Sequence, residues 1–275
     1  MTVTSTPESP TPSDEDPAIA ALGSGDVAAA VVSMSMRHAD GDDAAYLEWH
    51  MLDHLPEQYR LAGLRSGRRF VSTPGCRAAR AASVAPYDAV DHIVQYLFAD
   101  PVEGPLDRFF ALGGALRVAG RMPIALPRVQ VGGWYLERAV VASRALVGAA
   151  VLPWRPTSGA YVLVEHVAGS AAPTVPVGGL DGGLDGGLDA GLDALVAVPG
   201  VAGAWGYSGA TSLHPRLEST DGLALTVCYL DGVPIEVAAQ MAPVLADRWV
   251  DGRLVPLLAG PFESVVPGDW DRHLP

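Results

Sequence analysis

The chain has 275 residues, 49% hydrophobic and 18% charged, a length that buries a sizeable core without disulfide or metal support. Its formal net charge of −13 argues against nucleic acid and anionic membrane surfaces as partners, because both are themselves negatively charged. Two cysteines are too few for a disulfide framework or a thiolate zinc site. Every basic residue is arginine, which excludes Schiff-base and lysine-nucleophile chemistry.

Residues 1–25 are rich in Ser, Thr, Pro and acidic side chains, a composition that predicts a disordered tail. This segment has neither the basic start nor the apolar stretch of a signal peptide. No apolar run of membrane-spanning length follows it. We therefore expect a cytoplasmic protein that does not interact with a membrane.

The first half of the chain, residues 26–145, predicts strands and helices in the order β-α-β-β-α-β. The predicted elements are a strand at 28–37, a helix at 43–61, strands at 64–73 and 91–99, a helix at 106–118 and a strand at 128–141. Pro56 lies inside the first helix and predicts a break or kink there. This order is the ferredoxin-like pattern.

The second half, residues 146–275, repeats the pattern. It predicts a strand at 161–166, a helix-like stretch within 178–198 and a helix at 235–250. Residues 61–70 align with 198–207, so that Gly63 matches Gly200, and 91–100 align with 222–231. The predicted fold is α+β: two ferredoxin-like βαββαβ repeats packed sheet to sheet as a pseudo-dimeric α/β barrel with an interior cavity.

A low-complexity insert at residues 178–193 reads GGLDGGLDGGLDAGLD. Its evenly spaced aspartates suggest calcium, but the spacing fits neither an EF-hand loop nor the nonapeptide calcium repeat. Its glycines oppose helix formation. Slippage of a GC-rich repeat explains the insert without a site.

The segment 46–73 carries a recognisable set of residues. The set comprises Trp49, His54-Leu55-Pro56-Glu57, Gly63 and Arg68-Arg69-Phe70. It resembles the signature of the EthD-like branch of the dimeric α/β-barrel superfamily, here as a fused tandem repeat. The second half lacks the His-Leu-Pro-Glu element, so the resemblance implies one site, in the first half. The superfamily includes isomerases, polyketide cyclases, cofactor-free monooxygenases, dehydratases, decarboxylases and stress-response proteins, so membership alone selects no reaction.

His50 and His54 are four residues apart and would project from one helix face. The leading hypothesis makes His54 a general acid/base oriented by Asp53 or Glu57. A second interpretation is a metal bound by His50, His54 and Glu57, but a third strong ligand and the glutamate after the first histidine are missing. A third is that His54 caps backbone carbonyls where Pro56 disrupts the helix.

Six of the eighteen arginines lie between Arg60 and Arg80. Strand alternation predicts that Arg65 and Arg69 share one face and that Arg68 points to the other. That face would hold a carboxylate or phenolate by bidentate contacts; the alternative is a solvated face of weak ion pairs. His92 alternates with Tyr96 along one strand face, and we expect both to line the cavity.

The expected substrate-binding residues are Trp49, His50, Arg65, Tyr96 and Trp134. Trp205 and Tyr207 are further candidate aromatic walls, as is His166 for the pocket lining, although core packing explains these aromatic residues equally well. Cys76, near Arg77 and Arg80, is a weak candidate nucleophile. Cys228 lies in an apolar strand and is expected to be a core residue.

No nucleotide-binding or serine-hydrolase motif is present. The resemblance implies a cofactor-independent lyase or isomerase of the cyclase, dehydratase or decarboxylase type. Its substrate would be a small hydrophobic, oxygenated ring or polyketide-like molecule, with His54, His92 and Arg69 as catalytic residues and no cofactor or metal. The alternatives are a cofactor-free monooxygenase and a non-catalytic small-molecule-binding or stress protein. The fused pair is expected to be a monomer or a homodimer.

Overall fold

The computed structural model describes residues 27–122, 129–142, 148–169, 190–211 and 214–273. The predicted tail at 1–25 lies outside these ranges. So do all but the last four residues of the 178–193 insert, on which the calcium interpretation rests. Within them, no helix combines the length and the apolar character needed to cross a membrane.

Among the residues described, nine strands form the sheet. They are β1 Val27–Ser35, β2 Leu64–Val71, β3 Ala82–Ser83, β4 His92–Ala99, β5 Val129–Ala142, β6 Gly159–Val167, β7 Val201–Gly209, β8 Leu223–Leu230 and β9 Leu254–Ser264. The strands predicted by periodicity are confirmed to within a few residues, whereas the two-residue β3 was not predicted.

In the described part of the chain, six α-helical segments accompany the strands. They are α1 Asp43–Trp49, α2 Leu55–Gln58, α3 Pro74–Ala78, α4 Glu103–Val118, α5 Ala190–Val196 and α6 Pro234–Trp249. A π-helical turn, His50–His54, joins α1 to α2. Each half therefore has the predicted β-α-β-β-α-β order, with α3 and β3 as an addition between β2 and β4.

The strands close into a barrel. Their order is β2-β4-β1-β5-β7-β8-β6-β9, and β9 pairs back onto β2 through Phe70↔Ser264 and Val71↔Glu263. All pairings are antiparallel, and β3 adds to the same edge of β9. Closure pairs the first and last strands of this order with each other over two residues. The predicted α+β ferredoxin-like barrel is confirmed.

Gly63 and Gly200 occupy matching positions before β2 and β7. Their φ angles are +94° and +87°, in the region that favours glycine. A Cβ at Gly63 would overlap Pro105 of α4, and one at Gly200 would lie 2.7 Å from Val237 of α6. In both halves the chain therefore enters a strand by passing against the following helix.

The barrel interior is a core built from both halves. Its largest fully buried side chains include Met34, Phe70, Leu97, Trp205 and Phe262. Gln95 links two tyrosines there: its Nε2 donates to the Tyr207 hydroxyl at 3.0 Å, and the Tyr229 hydroxyl donates to its Oε1 at 3.0 Å. Trp205 and Tyr207 are thus core residues, and the expected location of the candidate site inside the barrel is wrong.

Helices cover the outer faces of the barrel. Leu55 and Leu106 pack on the first-half sheet, and Leu195 and Met241 pack on the second-half sheet. The second-half layer also contains a bidentate ion pair, in which Arg248 Nε and Nη2 donate to Glu165 at 2.8 Å each. Trp249 Nε1 donates to the same carboxylate at 2.7 Å.

Candidate functional site

A π-helical turn positions two of the predicted site histidines. Pro56 has no N–H and its ring crowds the preceding turn, so a regular helix is disfavoured there. The chain widens instead, and the Leu55 N–H donates to the His50 carbonyl five residues back. His50 and His54 lie at the two ends of this turn with ring centroids 5.7 Å apart. The predicted irregularity near Pro56 and the shared face of the histidines are confirmed.

The strand residues of the site lie on the outer face of the barrel, beneath this helix. Tyr96 packs with the helix-facing cluster, whereas its neighbours Gln95 and Leu97 point into the barrel. His92 shares the face of Tyr96 by strand alternation. Arg69 of β2 stacks under Tyr46 of α1, with its Cζ 4.3 Å from the ring centre. The candidate site is therefore a helix–sheet layer of the first half.

Asp43 and His92 form a buried pair between α1 and β4. Asp43 Oδ1 lies 2.8 Å from His92 Nε2 and also accepts the His38 N–H at 2.8 Å. Burial lowers the pKa of His92 to about 4 despite the opposing effect of Asp43, so the imidazole is neutral at neutral pH. Its Nε2–H must then donate to the carboxylate, which leaves Nδ1 as a proton acceptor.

Hydrogen bonds and neighbouring groups hold Asp43 ionised. Burial alone would raise its pKa, but the hydrogen bonds from His92 and the His38 N–H outweigh burial and lower it to about 2. Arg37 adds a longer contact of 3.3 Å to Asp43 Oδ2. A buried carboxylate that fixes the tautomer and orientation of an imidazole is a recurring support for proton transfer.

His54 is bound by Gln58, not by the acids that the sequence suggested. The Gln58 amide nitrogen lies 3.1 Å from His54 Nε2, so it donates there and the His54 proton resides on Nδ1. Asp53 instead pairs with Arg121 at 2.6 Å, and Glu57 with Arg60 at 2.9 Å. The expectation that Asp53 or Glu57 orients His54 is wrong.

Aromatic contacts enclose the histidines. Trp49 stacks on His54 at 4.7 Å between centroids and 20° between planes, and its Nε1 donates to the Arg121 carbonyl at 3.1 Å. His50 Nε2 lies 3.1 Å from the Tyr96 hydroxyl. Burial lowers the pKa of both histidines and raises that of Tyr96, so the neutral forms prevail at neutral pH.

Arg69 carries a buried guanidinium that makes no hydrogen bond with the part of the chain described. The residue is 3% exposed, and its Nε, Nη1 and Nη2 atoms all lack a partner there. Within the same described residues, Nδ1 of His50, His54 and His92 also has no hydrogen-bond partner. The guanidinium contacts the Tyr46 ring and keeps its N–H groups available for oxygen acceptors.

Arg65 does not join this cluster. The pairing of β2 with β4 shifts register between Leu64 and Ser66, so Arg65 is the extra residue of a β-bulge. It is exposed, whereas Arg69 is buried. The expected shared face of Arg65 and Arg69 is therefore wrong, because the bulge interrupts the alternation on which it rested.

The remaining residues singled out from the sequence lie outside this cluster or in the core. The Trp134 backbone pairs with Val31, and its side chain lies outside the described part of the structure. His166 is exposed on β6, away from the site. Cys228 is a core residue as predicted. Cys76 is fully buried and burial raises the pKa of its thiol, which contradicts the expected activation by Arg77 and Arg80.

The metal interpretation of the first helix requires His50, His54 and Glu57 to come together as ligands. Within the described residues, three ligand-type side chains come together at His38, Asp40 and Asp42, of which both aspartates are exposed. Glu57 of the proposed His50–His54–Glu57 set is engaged by two arginines. That set is therefore not assembled as a three-ligand group in this structure.

The sequence reasoning missed Asp43, Tyr46 and Gln58. Asp43 was placed at the start of the helix, and its contact with His92 is 49 residues away in sequence. Gln58 follows His54 at the four-residue spacing that brings helical side chains together, a signal that was available. Together the cluster offers a fixed cation, proton donors and a proton acceptor next to aromatic rings.

No protein-family model and no curated protein matches the chain. Among solved structures, it is similar to a crystal structure described as a candidate chlorite dismutase, with 13% identity over 90% of this chain and 100% of that one and a TM-score of 0.50. An anthrone oxidase-like protein matches at 13% identity, 88% and 92% coverage and a TM-score of 0.43. The chlorite dismutase from Candidatus Nitrospira defluvii matches at 11% identity, 93% and 96% coverage and a TM-score of 0.45.

These three structures share 11–13% sequence identity with the chain. The first of them supports the same barrel architecture for this chain over nearly its whole length. At 13% identity the likeness is one of fold alone, so the chemistry must be argued from the residues described above.

Proposed function

We propose that the first-half cluster is the site of a cofactor-independent lyase or isomerase that works by proton transfer next to a carbonyl oxygen. The observation that carries the proposal is the buried Arg69 guanidinium, whose N–H groups meet no hydrogen-bond acceptor among the described residues. A polarised carbonyl, an enolate or a phenolate would supply the acceptors that this group lacks. Trp49, Tyr46 and Tyr96 would contact the apolar part of a small oxygenated substrate.

Two imidazoles with opposite free positions would share the proton transfer. His92 Nδ1 takes a proton from the carbon next to the carbonyl, the C–H electron pair forms the new C=C bond, and the carbonyl π pair moves onto the oxygen. His54 Nδ1–H gives its proton to the same oxygen, so an enol forms with no net gain or loss of protons. Returning a proton to a different carbon, or expelling a leaving group, completes an isomerisation or an elimination.

Substrate binding would also adjust the acidity of the site. Arg69 is near enough to lower the pKa of His50, His54 and His92. An oxygen anion on Arg69 offsets that positive charge and so raises the proton affinity of the imidazoles when substrate is present. The base therefore gains strength in the complex in which it is needed.

The EthD-like assignment and the fused tandem repeat are part of this proposal. Supporting them, segment 46–73 places Trp49, His54 and Arg69 in one cluster, and the two halves share one element order. The second half has the Glu165–Arg248 ion pair between its sheet and helix, in which the carboxylate and the guanidinium neutralise each other. One working site per chain follows.

The experiment is deuterium incorporation into 2-tetralone, an enolisable aromatic ketone, in D₂O at neutral pH, followed by NMR. The wild type should exceed buffer alone, and His54→Gln and His92→Gln should each lose about 10²-fold or more. His166→Gln, an exposed histidine of the second half, is the matched control and should keep full activity.

The alternatives give different results in the same experiment. Oxygen uptake that depends on 2-tetralone would indicate a cofactor-free monooxygenase, in which the same carbanion is captured by oxygen. Saturable binding of 2-tetralone with no exchange would contradict catalysis on this class and favour the small-molecule-binding protein. If both His54→Gln and His92→Gln keep the exchange rate of the wild type, then His54 is not the acid and His92 is not the base.

A further inference from the structure

An open cleft with a volume of about 630 Å³ lies next to the candidate site and is not used by the proposed reaction. Arg37, Pro74, Arg77 and Ala78 line it. Arg37 follows the end of β1, and the other three belong to α3, which follows β2. The cleft therefore opens where two strands of the first-half sheet end.

Two buried carboxylates hold its arginines in place. Arg37 Nε and Nη2 lie 3.3 Å from Asp43 Oδ2, and Arg77 Nη2 lies 2.6 Å from Asp91 Oδ1. The side chains of the two aspartates are 1% and 5% exposed, whereas those of the arginines are 37% and 42% exposed. Each guanidinium is thus anchored from below and open to the cleft above.

Part of each guanidinium is unused. Arg37 Nη1, and Arg77 Nε and Nη1, make no hydrogen bond or ion pair with the described residues. Arginine presents its N–H groups in a planar fork that matches the geometry of carboxylate and phosphate oxygens. Because the anchoring contacts already restrict these side chains, an incoming anion costs little further ordering.

We propose that this cleft is an oxyanion-binding site that takes the carboxylate or phosphate group of a small molecule between Arg37 and Arg77. The site is separate from Arg69, and its existence does not depend on the proposed reaction. Arg37 connects the two places, because the same guanidinium contacts the Asp43 that holds His92. An anion in the cleft shares Arg37 with Asp43 and so reaches the His92 environment.

Calorimetric titration at low ionic strength with inorganic phosphate and with benzoate tests the proposal and distinguishes the two classes of anion. Arg77→Gln should weaken binding of the preferred probe about tenfold or more, the usual scale for a charged hydrogen bond. Arg253→Gln is the matched control, because Arg253 is an exposed arginine that pairs with the nearby Asp251. It should leave the affinity unchanged.

Two further variants keep the result interpretable. Arg77→Gln with Asp91→Asn removes the pair without leaving a buried charge, so it should fold as the wild type does by circular dichroism and still bind weakly. Arg69→Met should retain anion binding, which separates this site from the proposed catalytic one. Equal affinities in Arg77→Gln and Arg253→Gln, or no saturable binding of either probe to the wild type, would overturn the proposal.

Discussion

His92 Nε2 lies 2.8 Å from Asp43 Oδ1, and this contact joins the first residue of β4 to the first residue of α1. Both side chains are almost fully buried, at 2% and 1% exposure. A neutral imidazole and an ionised carboxylate therefore share one proton position inside the protein. The protonation state of this pair determines much of what the site can do.

The first prediction concerns the pH dependence of stability. The pKa of folded His92 is lowered to about 4, whereas the unfolded value is 6.5, so between these values the unfolded chain binds a proton that the folded chain does not. The free energy of unfolding should therefore rise with pH from about 4 to 6.5. Burial lowers the pKa of His50 and His54 in the same direction. Urea unfolding at a series of pH values measures the slope.

His92→Gln keeps an N–H for Asp43 but removes this titration, so it should flatten the slope between pH 4 and 6.5. The pKa of Asp43 is lowered from 3.8 to about 2, so the free energy of unfolding should still fall as the pH drops from 3.8 to about 2. His166→Gln is the exposed control. An unchanged slope in His92→Gln would show that the pKa of His92 is the same in the folded and the unfolded chain.

The second prediction compares adjacent arginines. Arg69→Met should raise the free energy of unfolding by about 1–4 kcal/mol, because it removes a buried charge whose N–H groups have no acceptor among the described residues. Arg68→Met should lower it by about 1–3 kcal/mol. Arg68 donates to the carbonyls of Pro153 and Arg155 and to Thr157, and the substitution removes these three hydrogen bonds. The denaturation midpoints of the two variants should therefore move in opposite directions.

A loss of stability in Arg69→Met equal to that in Arg68→Met would identify Arg69 as a structural residue. The proposed function would then lose its main support.

The third prediction concerns the ion pair of the second half. Glu165→Gln leaves the Arg248 guanidinium buried without a counter-charge, and it should cost about 3–5 kcal/mol of stability. Asp231→Asn, which breaks the more exposed pair with Arg155, should cost less than about 1 kcal/mol. Thermal unfolding of both variants measures the contrast, and similar losses would contradict the burial argument.

The fourth prediction uses the matching glycines. Gly63→Ala and Gly200→Ala should each cost about 1–3 kcal/mol, because both positions have positive φ and no space for a methyl group. Gly113→Ala, in α4 with open space around it, should gain about 0.5–1 kcal/mol. Urea midpoints check all three, and a neutral Gly200→Ala would argue against equivalent strand entries in the two halves.

Sequence patterns predicted the parts of this protein that depend on local chemistry. Alternating apolar residues located β1, β4 and β6, and the alignment of Gly63 with Gly200 anticipated the matching strand entries. Pro56 located the irregular turn, because its missing N–H acts wherever the residue stands. The four-residue spacing of His50 and His54 predicted their proximity, because helical side chains four residues apart lie on one face.

Contacts between distant segments were not predictable. The Asp43–His92 pair joins elements 49 residues apart, and no local pattern marks either residue as the partner of the other. The bulge at Arg65 cannot be read from alternation, because it is a local exception to alternation. A sheet face without helices predicts that the face is buried against another sheet. It does not predict whether side chains or a cavity lie between the two sheets, and here side chains of both halves form a core.

The two halves meet along seams of unequal length. Strands β5 and β7 pair from Tyr135↔Gly209 to Ala142↔Gly203, whereas β2 and β9 pair at Phe70↔Ser264 and Val71↔Glu263. Fewer ladder bonds mean a lower free energy of local opening at the short seam. Arg69 directly precedes Phe70, the first β2 residue of that seam, so opening of the short seam would loosen the strand that carries its guanidinium. The stability of this corner of the barrel and the placement of Arg69 are therefore linked.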